Sequence, residues 1–350
     1  MGSRAAEALQ AFLLGRVLFL LPAYAWWYSF RLRGLPVPAP PGYVETGQGW
    51  LGWDPLNLLV FYDSVHYLSI AAHGYTHPVL CCWFPLYPLA VRVLGAGALA
   101  AVLVSNAALF FAVLAARRLG GRTAMWAMAL NPVGLLTSAV YSESLFLALT
   151  SWAMVWAEEK KPLRAAVAAG LAALTRPVGW AVLAGLAASL VWRREWRSGA
   201  VVACLGGVLG VLYPVFLWTR FGDPLLFAHA NARYFGRSVE WPLAGVLRDL
   251  AAWNGMGVSE KLLVGLNLVG GTCLLWLAVS AKPWVGAAYA LLVLGAGVNR
   301  SGYVPATHGL LRYAAGCFPW CLGTTGRMLP YLAVMGMVVS LLLAGKLFIF

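Results

Sequence analysis

Charge is what this sequence has least of. Only 11% of its residues are charged, and acids are the scarcest part of that share, 12 in 350 residues against 25 Lys and Arg. A soluble domain with so few polar side chains would fail to cover its own surface. With 61% hydrophobic residues and a mean hydropathy of +0.77, the composition predicts an integral membrane protein. Long polar stretches are also missing, which excludes a separate soluble catalytic domain and leaves residues 1–350 as one membrane domain. The six cysteines show no C-x-x-C pairing and sit in or beside apolar runs, where they read as small hydrophobes. Cys317 and Cys321 could share a helix face, but two thiols with no nearby histidine make a poor metal site.

What is abundant is apolar sequence, enough for about ten spans at roughly 20 residues each. The first run, Ala11 to Trp27, contains Arg16, ends in Trp26, Trp27 and Tyr28, and lacks an A-x-A cleavage pattern. It reads as a retained first span with an aromatic belt. The net charge of +13 would suggest nucleic acid in a soluble protein. Here the bases fall in short connections between apolar runs, where positive charge marks the cytoplasmic side, so no nucleic-acid partner is expected.

Placing Arg4, the cluster Arg117, Arg118 and Arg122, the cluster Lys160, Lys161 and Arg164, the cluster Arg193, Arg194 and Arg197, Lys282 and Arg327 inside gives one path. It predicts an all-α polytopic bundle of ten or eleven spans. An amphipathic outer loop over residues 31–84 joins spans 1 and 2, a second outer loop covers 220–260, and Asn299 to Arg312 lie outside. The second span returns by Arg117 and the third leaves through Asn131-Pro132 to Tyr141. The 28 residues between Arg164 and Arg193 are long for one span and short for two, and Thr175-Arg176-Pro177 interrupts them. They predict two short helices whose turn carries Arg176. On this path Glu7, Glu158, Glu159 and Glu195 are cytoplasmic and the other eight acids lie at the outer face, so carboxylate chemistry is expected there.

Asp63 and Glu143 lie against apolar sequence, where an acid is costly. Asp63 reads as a helix cap, a loop salt bridge or a working carboxylate. Capping the following span is the plainer role for Glu143. Asp63, His66 and Tyr67 fall at i, i+3 and i+4 and share one face if the segment is helical, and Ile70 and Gly74 continue that face. This describes an amphipathic helix lying on the outer leaflet. His66, His73 and His77 lack the close spacing of metal ligands, so no metal or other cofactor is expected. Arg176, and Arg312 in His308-Gly309-Leu310-Leu311-Arg312-Tyr313, either snorkel to headgroups or hold a phosphate through paired hydrogen bonds.

Several segments together resemble one family. Tyr62-Asp63-Ser64-Val65-His66-Tyr67-Leu68 with Ile70-Ala71 and Gly74-Tyr75, then Trp83-Phe84-Pro85-Leu86-Tyr87-Pro88-Leu89, resemble the first luminal loop of the PIG-V type of GPI mannosyltransferase, one of the C-type multi-span glycosyltransferases. Asn131-Pro132, Tyr141-Ser142-Glu143-Ser144-Leu145-Phe146, Thr175-Arg176-Pro177-Val178-Gly179, Phe221-Gly222-Asp223-Pro224 and Arg312-Tyr313 with Phe318-Pro319 are similar to later family segments in the same order. The likeness runs from about residue 53 to 320. It departs where Tyr62 replaces a frequent Trp and where Trp83-Phe84-Pro85 replaces Phe-Phe-Pro. The chain is shorter than eukaryotic members, and its richness in Ala, Gly, Leu and Arg suits a bacterial homologue in the plasma membrane; a eukaryotic one would sit in the endoplasmic reticulum.

The resemblance implies transfer of mannose from a polyprenyl-phosphate or dolichyl-phosphate donor to a lipid-linked or glycan acceptor on the extracytoplasmic side, with Asp63 as general base. Inverting transfer from a sugar phosphate needs one base, because phosphate leaves without a general acid; a glycosidase usually needs two carboxylates. Arg176 and Arg312 are candidates for the donor phosphate in place of a metal. His66 could orient Asp63, and with Tyr67, Glu143, Tyr313 and Trp83 is a candidate for contact with acceptor or donor. Trp53, Trp83 and Tyr67 also read as interfacial belt residues. Two competitors remain, a transporter or flippase of a lipid-linked sugar, and a structural membrane subunit in which Asp63 only caps a helix.

Overall fold

A computed structural model describes residues 3–32, 55–237, 239–297, 307 and 309–344. Among these residues the regular elements are all helical, with no strand, and the protein belongs to the all-α polytopic membrane class. Numbered in chain order, the helices are α1 (Ser3–Leu32), α2 (Ser64–His73), α3 (Leu86–Val93), α4 (Ala98–Ala129), α5 (Glu143–Glu158), α6 (Pro162–Ala173), α7 (Gly179–Trp192) and α8 (Trp196–Phe221). They continue as α9 (Leu226–Phe235), α10 (Ala244–Ala252), α11 (Val258–Gly265), α12 (Gly271–Ala281), α13 (Pro283–Leu292), α14 (Leu310–Ala315), α15 (Trp320–Gly323) and α16 (Leu329–Ala344).

Among the described residues five stretches are long and apolar enough to cross a membrane: Ser3–Ser29, Ala98–Ala129, Trp196–Phe221, Val258–Ala281 and Gly326–Ala344. Ten or eleven spans were expected, and the remaining apolar runs form shorter helices. α6 has 12 residues and α7 has 14, on either side of the expected break at Thr175-Arg176-Pro177. At 1.5 Å per residue, α6 is about 18 Å long, against a hydrocarbon core of roughly 30 Å. The expected second outer loop is also more ordered than the sequence suggested, since it carries α9 and α10, and the apolar run that ends it begins at Val258.

The chain divides into two compact units. The first comprises residues 1–74, 87–148 and 324–349. Within it α4 reads as one helix, but Gly121 sits at φ 71° and joins two helical segments, a conformation open to glycine because it has no Cβ. The expected connection between the second and third spans is therefore a single residue. Glu7 on α1 pairs with Arg117 at 2.8 Å and Arg122 at 2.6 Å, so the start of α1 and the kink share one end of this unit.

The second unit comprises residues 75–86 and 149–323. Glu158 accepts from Arg193 at 3.1 Å and Lys282 at 2.7 Å, which gathers three of the basic turns at one end. α6 and α8 pack with backbones nearly touching: a Cβ on Gly170 would lie 2.8 Å from the Gly206 carbonyl oxygen. Small residues permit such approach between helices in lipid, where packing rather than water exclusion drives association.

Candidate functional site

In the first unit the structure builds a corner around Asp63. Residues 59–64 are tied to the segment before α5: Val140 donates its N–H to the Leu59 carbonyl at 2.9 Å. The Tyr141 hydroxyl donates to the Phe61 carbonyl at 3.0 Å and accepts the Asp63 N–H at 3.2 Å. This one phenol straddles Tyr62, whose φ of 46° is a strained left-handed conformation for a residue with a side chain. Asp63 occupies the N-cap position of α2, yet its side chain makes no capping hydrogen bond. The helix-cap reading of Asp63 is thus corrected: the carboxylate does not perform that task.

One turn on, burial lowers the His66 imidazole below its ordinary value of 6.5, and the Asp63 charge opposes that shift without cancelling it, so the ring is neutral at pH 7. Tyr67 is buried, its hydroxyl 2.7 Å from Ser142 Oγ and its ring 5.0 Å from that of Tyr87. Ile70 is buried too, and α2 ends at Gly74, so this face packs within the unit instead of resting on a leaflet. Glu143 begins α5 and is fully buried between Ser142 and Ser144, where the positive end of the helix dipole favours a carboxylate. Asp63, His66, Tyr67 and Glu143 therefore all belong to this unit.

The second unit gathers cations. Arg176 lies in the turn between α6 and α7 and is only 8% exposed, so it does not snorkel. Its guanidinium carbon stands 5.4 Å from the centre of the Tyr313 ring. A second guanidinium, that of Arg237, lies 5.5 Å from the same centre, and its Nη1 donates to the Tyr313 hydroxyl. Arg312 precedes Tyr313 on α14, a helix held by the Tyr289 hydroxyl on the Tyr313 carbonyl at 2.8 Å and by the Leu311 N–H on Asn267 Oδ1 at 3.1 Å. Burial would push the Tyr313 phenol up, but the charges of Arg237, Arg312 and Arg176 outweigh it and hold the phenol below its ordinary value.

The same unit joins residues 75–86 to the turn between α6 and α7. Leu86 donates its N–H to the Leu174 carbonyl at 3.1 Å, and the Tyr213 hydroxyl donates to the Cys81 carbonyl at 2.8 Å. The Trp83-Phe84-Pro85 segment is thereby fixed beside the Arg176 turn. Trp83 is buried, meets Phe235 edge-on at 5.7 Å and accepts the Tyr75 hydroxyl on its carbonyl at 2.7 Å. Neither Trp83 nor Tyr67 is a belt residue; Trp53 lies outside the described residues.

Sequence reasoning missed Tyr141 as a support for Asp63 and Arg237 as a partner of Tyr313. For Arg237 a signal was present. Gly236 ends α9 in a left-handed conformation, with its own N–H bonded to Ala232 and that of Arg237 to Asn231, a helix stop readable from the glycine. Among the described residues no group of three or more His, Cys, Asp or Glu is placed to hold a metal. His77 instead caps the turn at Pro78–Cys82 through Nδ1, 3.4 Å from the Val79 N–H.

Fold and side chains together define a polytopic helical membrane protein with a braced acid in one unit and a cluster of arginines on a tyrosine in the other. Comparison with family models, with curated proteins and with solved structures gave no match.

Proposed function

We propose that the protein is an inverting glycosyltransferase that moves mannose from a polyprenyl-phosphate donor to a lipid-linked or glycan acceptor on the extracytoplasmic side of the plasma membrane. Asp63 serves as general base. It takes the proton of the acceptor hydroxyl while that oxygen bonds to the anomeric carbon. The bond from the anomeric carbon to the phosphate oxygen breaks, and its electron pair leaves with the lipid phosphate. Arg176 and Arg312 hold that phosphate, as the planar guanidinium fork can donate two parallel hydrogen bonds to two of its oxygens. His66, Tyr67, Glu143, Tyr313 and Trp83 are assigned to contacts with acceptor or donor.

The observation that carries the reading is Asp63 itself. It is an acid at the edge of apolar sequence, placed directly after a strained residue that a buried tyrosine hydroxyl spans. The resemblance of this segment to the PIG-V first loop supports the same role. The test is transfer by purified protein from polyprenyl-phosphate mannose to a panel of acceptor lipids. Asp63→Asn should fold normally and lose about a hundredfold or more in rate, as removal of a general base does. Near-normal transfer by that variant would remove the base assignment, and wild-type protein that carries the donor across a bilayer without transferring sugar would make it a transporter. A chelator should change little; inhibition reversed by Mg²⁺ or Mn²⁺ would replace the arginines with a metal.

A further inference from the structure

In the proposed donor the phosphate is a diester with one negative charge. After transfer it is a monoester, which carries between about 1.5 and 2 negative charges at neutral pH because its second pKa is near 6. The reaction therefore adds charge at the phosphate, and a site that recognises the added charge accelerates departure of the leaving group.

The surroundings of Tyr313 have that character. Two guanidiniums, from the α6–α7 turn and from the stop of α9, lie against one ring at 5.4 and 5.5 Å, and a third comes from the adjacent residue on α14. Their combined field at the phenol is positive enough to overcome burial. The three arginines come from three separate segments, and each segment is fixed by the backbone. Arg176 bonds its N–H to the Ala172 carbonyl at 3.2 Å and Arg237 its N–H to Asn231 at 3.2 Å, while α14 is anchored through Tyr289 and Asn267. Cations set in place before the reaction need no reorganisation as charge develops.

We infer that Arg237 is a third cationic ligand beside Arg176 and Arg312, and that this arginine cluster on Tyr313 binds a phosphate monoester in preference to a diester. The inference rests on the donor-phosphate reading of Arg176 and Arg312. It adds a residue to that site and a selectivity for the dianionic product.

The test uses the purified full-length protein in detergent, with farnesyl phosphate, its methyl diester and inorganic phosphate as probes, and reads binding directly. Wild-type protein should bind the monoester about tenfold or more tightly than the diester, the effect of one added charge-assisted interaction. Arg237→Gln should weaken monoester binding much more than diester binding and so abolish most of that preference, and Arg237→Lys should restore part of it at unaltered thermal stability. Arg237→Gln with the preference intact overturns the proposal. So does farnesyl phosphate that binds no better than inorganic phosphate, since the anion would then be free phosphate and not a lipid phosphate. Asp63→Asn separates the two readings. If it transfers normally while Arg237→Gln loses the preference, the base assignment falls and this site stands. If it is inactive while Arg237→Gln changes nothing, the reverse holds.

Discussion

Arg16 in the first compact unit and Arg176 in the second are both arginines in apolar sequence, and at 6% and 8% exposure both are more than nine-tenths buried. They are held by different means. Arg16 Nη1 donates to the Gly134 carbonyl at 3.1 Å, Thr137 Oγ1 at 2.9 Å and Ser138 Oγ at 2.7 Å, and Nη2 donates to the Ala129 carbonyl at 3.2 Å. Ala129 ends α4, where the helix dipole is negative. This cation serves the fold, closing the turn that follows α4 with oxygens that carry no formal charge. Arg176 instead lies on the Tyr313 ring in the company of Arg237 and Arg312. Burial alone does not mark a functional arginine; what surrounds the buried charge does.

The comparison breaks most decisively by exchanging the two phenotypes. Arg176→Gln should lower transfer by about a hundredfold, the scale of losing one preset charge at a transition state, while melting within a few degrees of wild type. Arg16→Met should do the reverse. It strips a donor from four buried acceptors, a loss of about 3 kcal/mol or more in stability, with unchanged activity per folded molecule. Thermal unfolding in detergent and rate per folded protein measure both. An Arg176 variant that unfolds, or an Arg16 variant that folds well and is inactive, would erase the distinction.

These contrasts also show which features the sequence could carry. The break at Thr175-Arg176-Pro177 was legible because helix formers flank a residue before proline, and the ion pairs of Glu7 and of Glu158 join some of the basic turns that the sequence grouped together. Span lengths were harder. Arg117, Arg118 and Arg122 read as a loop between two spans, whereas the chain turns there on Gly121 alone, a backbone choice with no signature in hydropathy. The supports of the site were hidden for a different reason. Tyr141 meets Asp63, and Arg237 meets Tyr313, across long separations in sequence, and only packing decides such meetings.

A finer cut concerns the first unit, where neutral hydroxyls do the bracing. Tyr141→Phe keeps the ring, which packs on Phe61 at 5.2 Å and Tyr67 at 6.3 Å, and deletes only the hydroxyl that spans Tyr62. A loosened Asp63 should lower kcat by about tenfold with KM nearly unchanged, since misplacement by a fraction of an ångström weakens proton transfer more than binding. An equal rise in KM would make Tyr141 a structural residue of the binding surface.

The smallest expected effect is that of pH on the same corner. His66 is held neutral by burial against the opposing Asp63 charge, so its folded-state pKa lies below the ordinary 6.5. The unfolded chain then binds more protons than the folded one as pH falls through that value, and stability contributed at neutral pH is lost on acidification, down to the lowered pKa. Melting temperature should therefore decline from pH 7.5 to below 6.5, and His66→Gln should flatten part of that slope. The cluster of Arg176, Arg237 and Arg312 on Tyr313 contains no histidine. Arg237→Gln should thus leave the slope as it is in wild type. If it flattens the slope instead, the acid sensitivity belongs to the cations of the second unit, and the division of labour between hydroxyl-braced acid and ring-bound arginines would have to be redrawn.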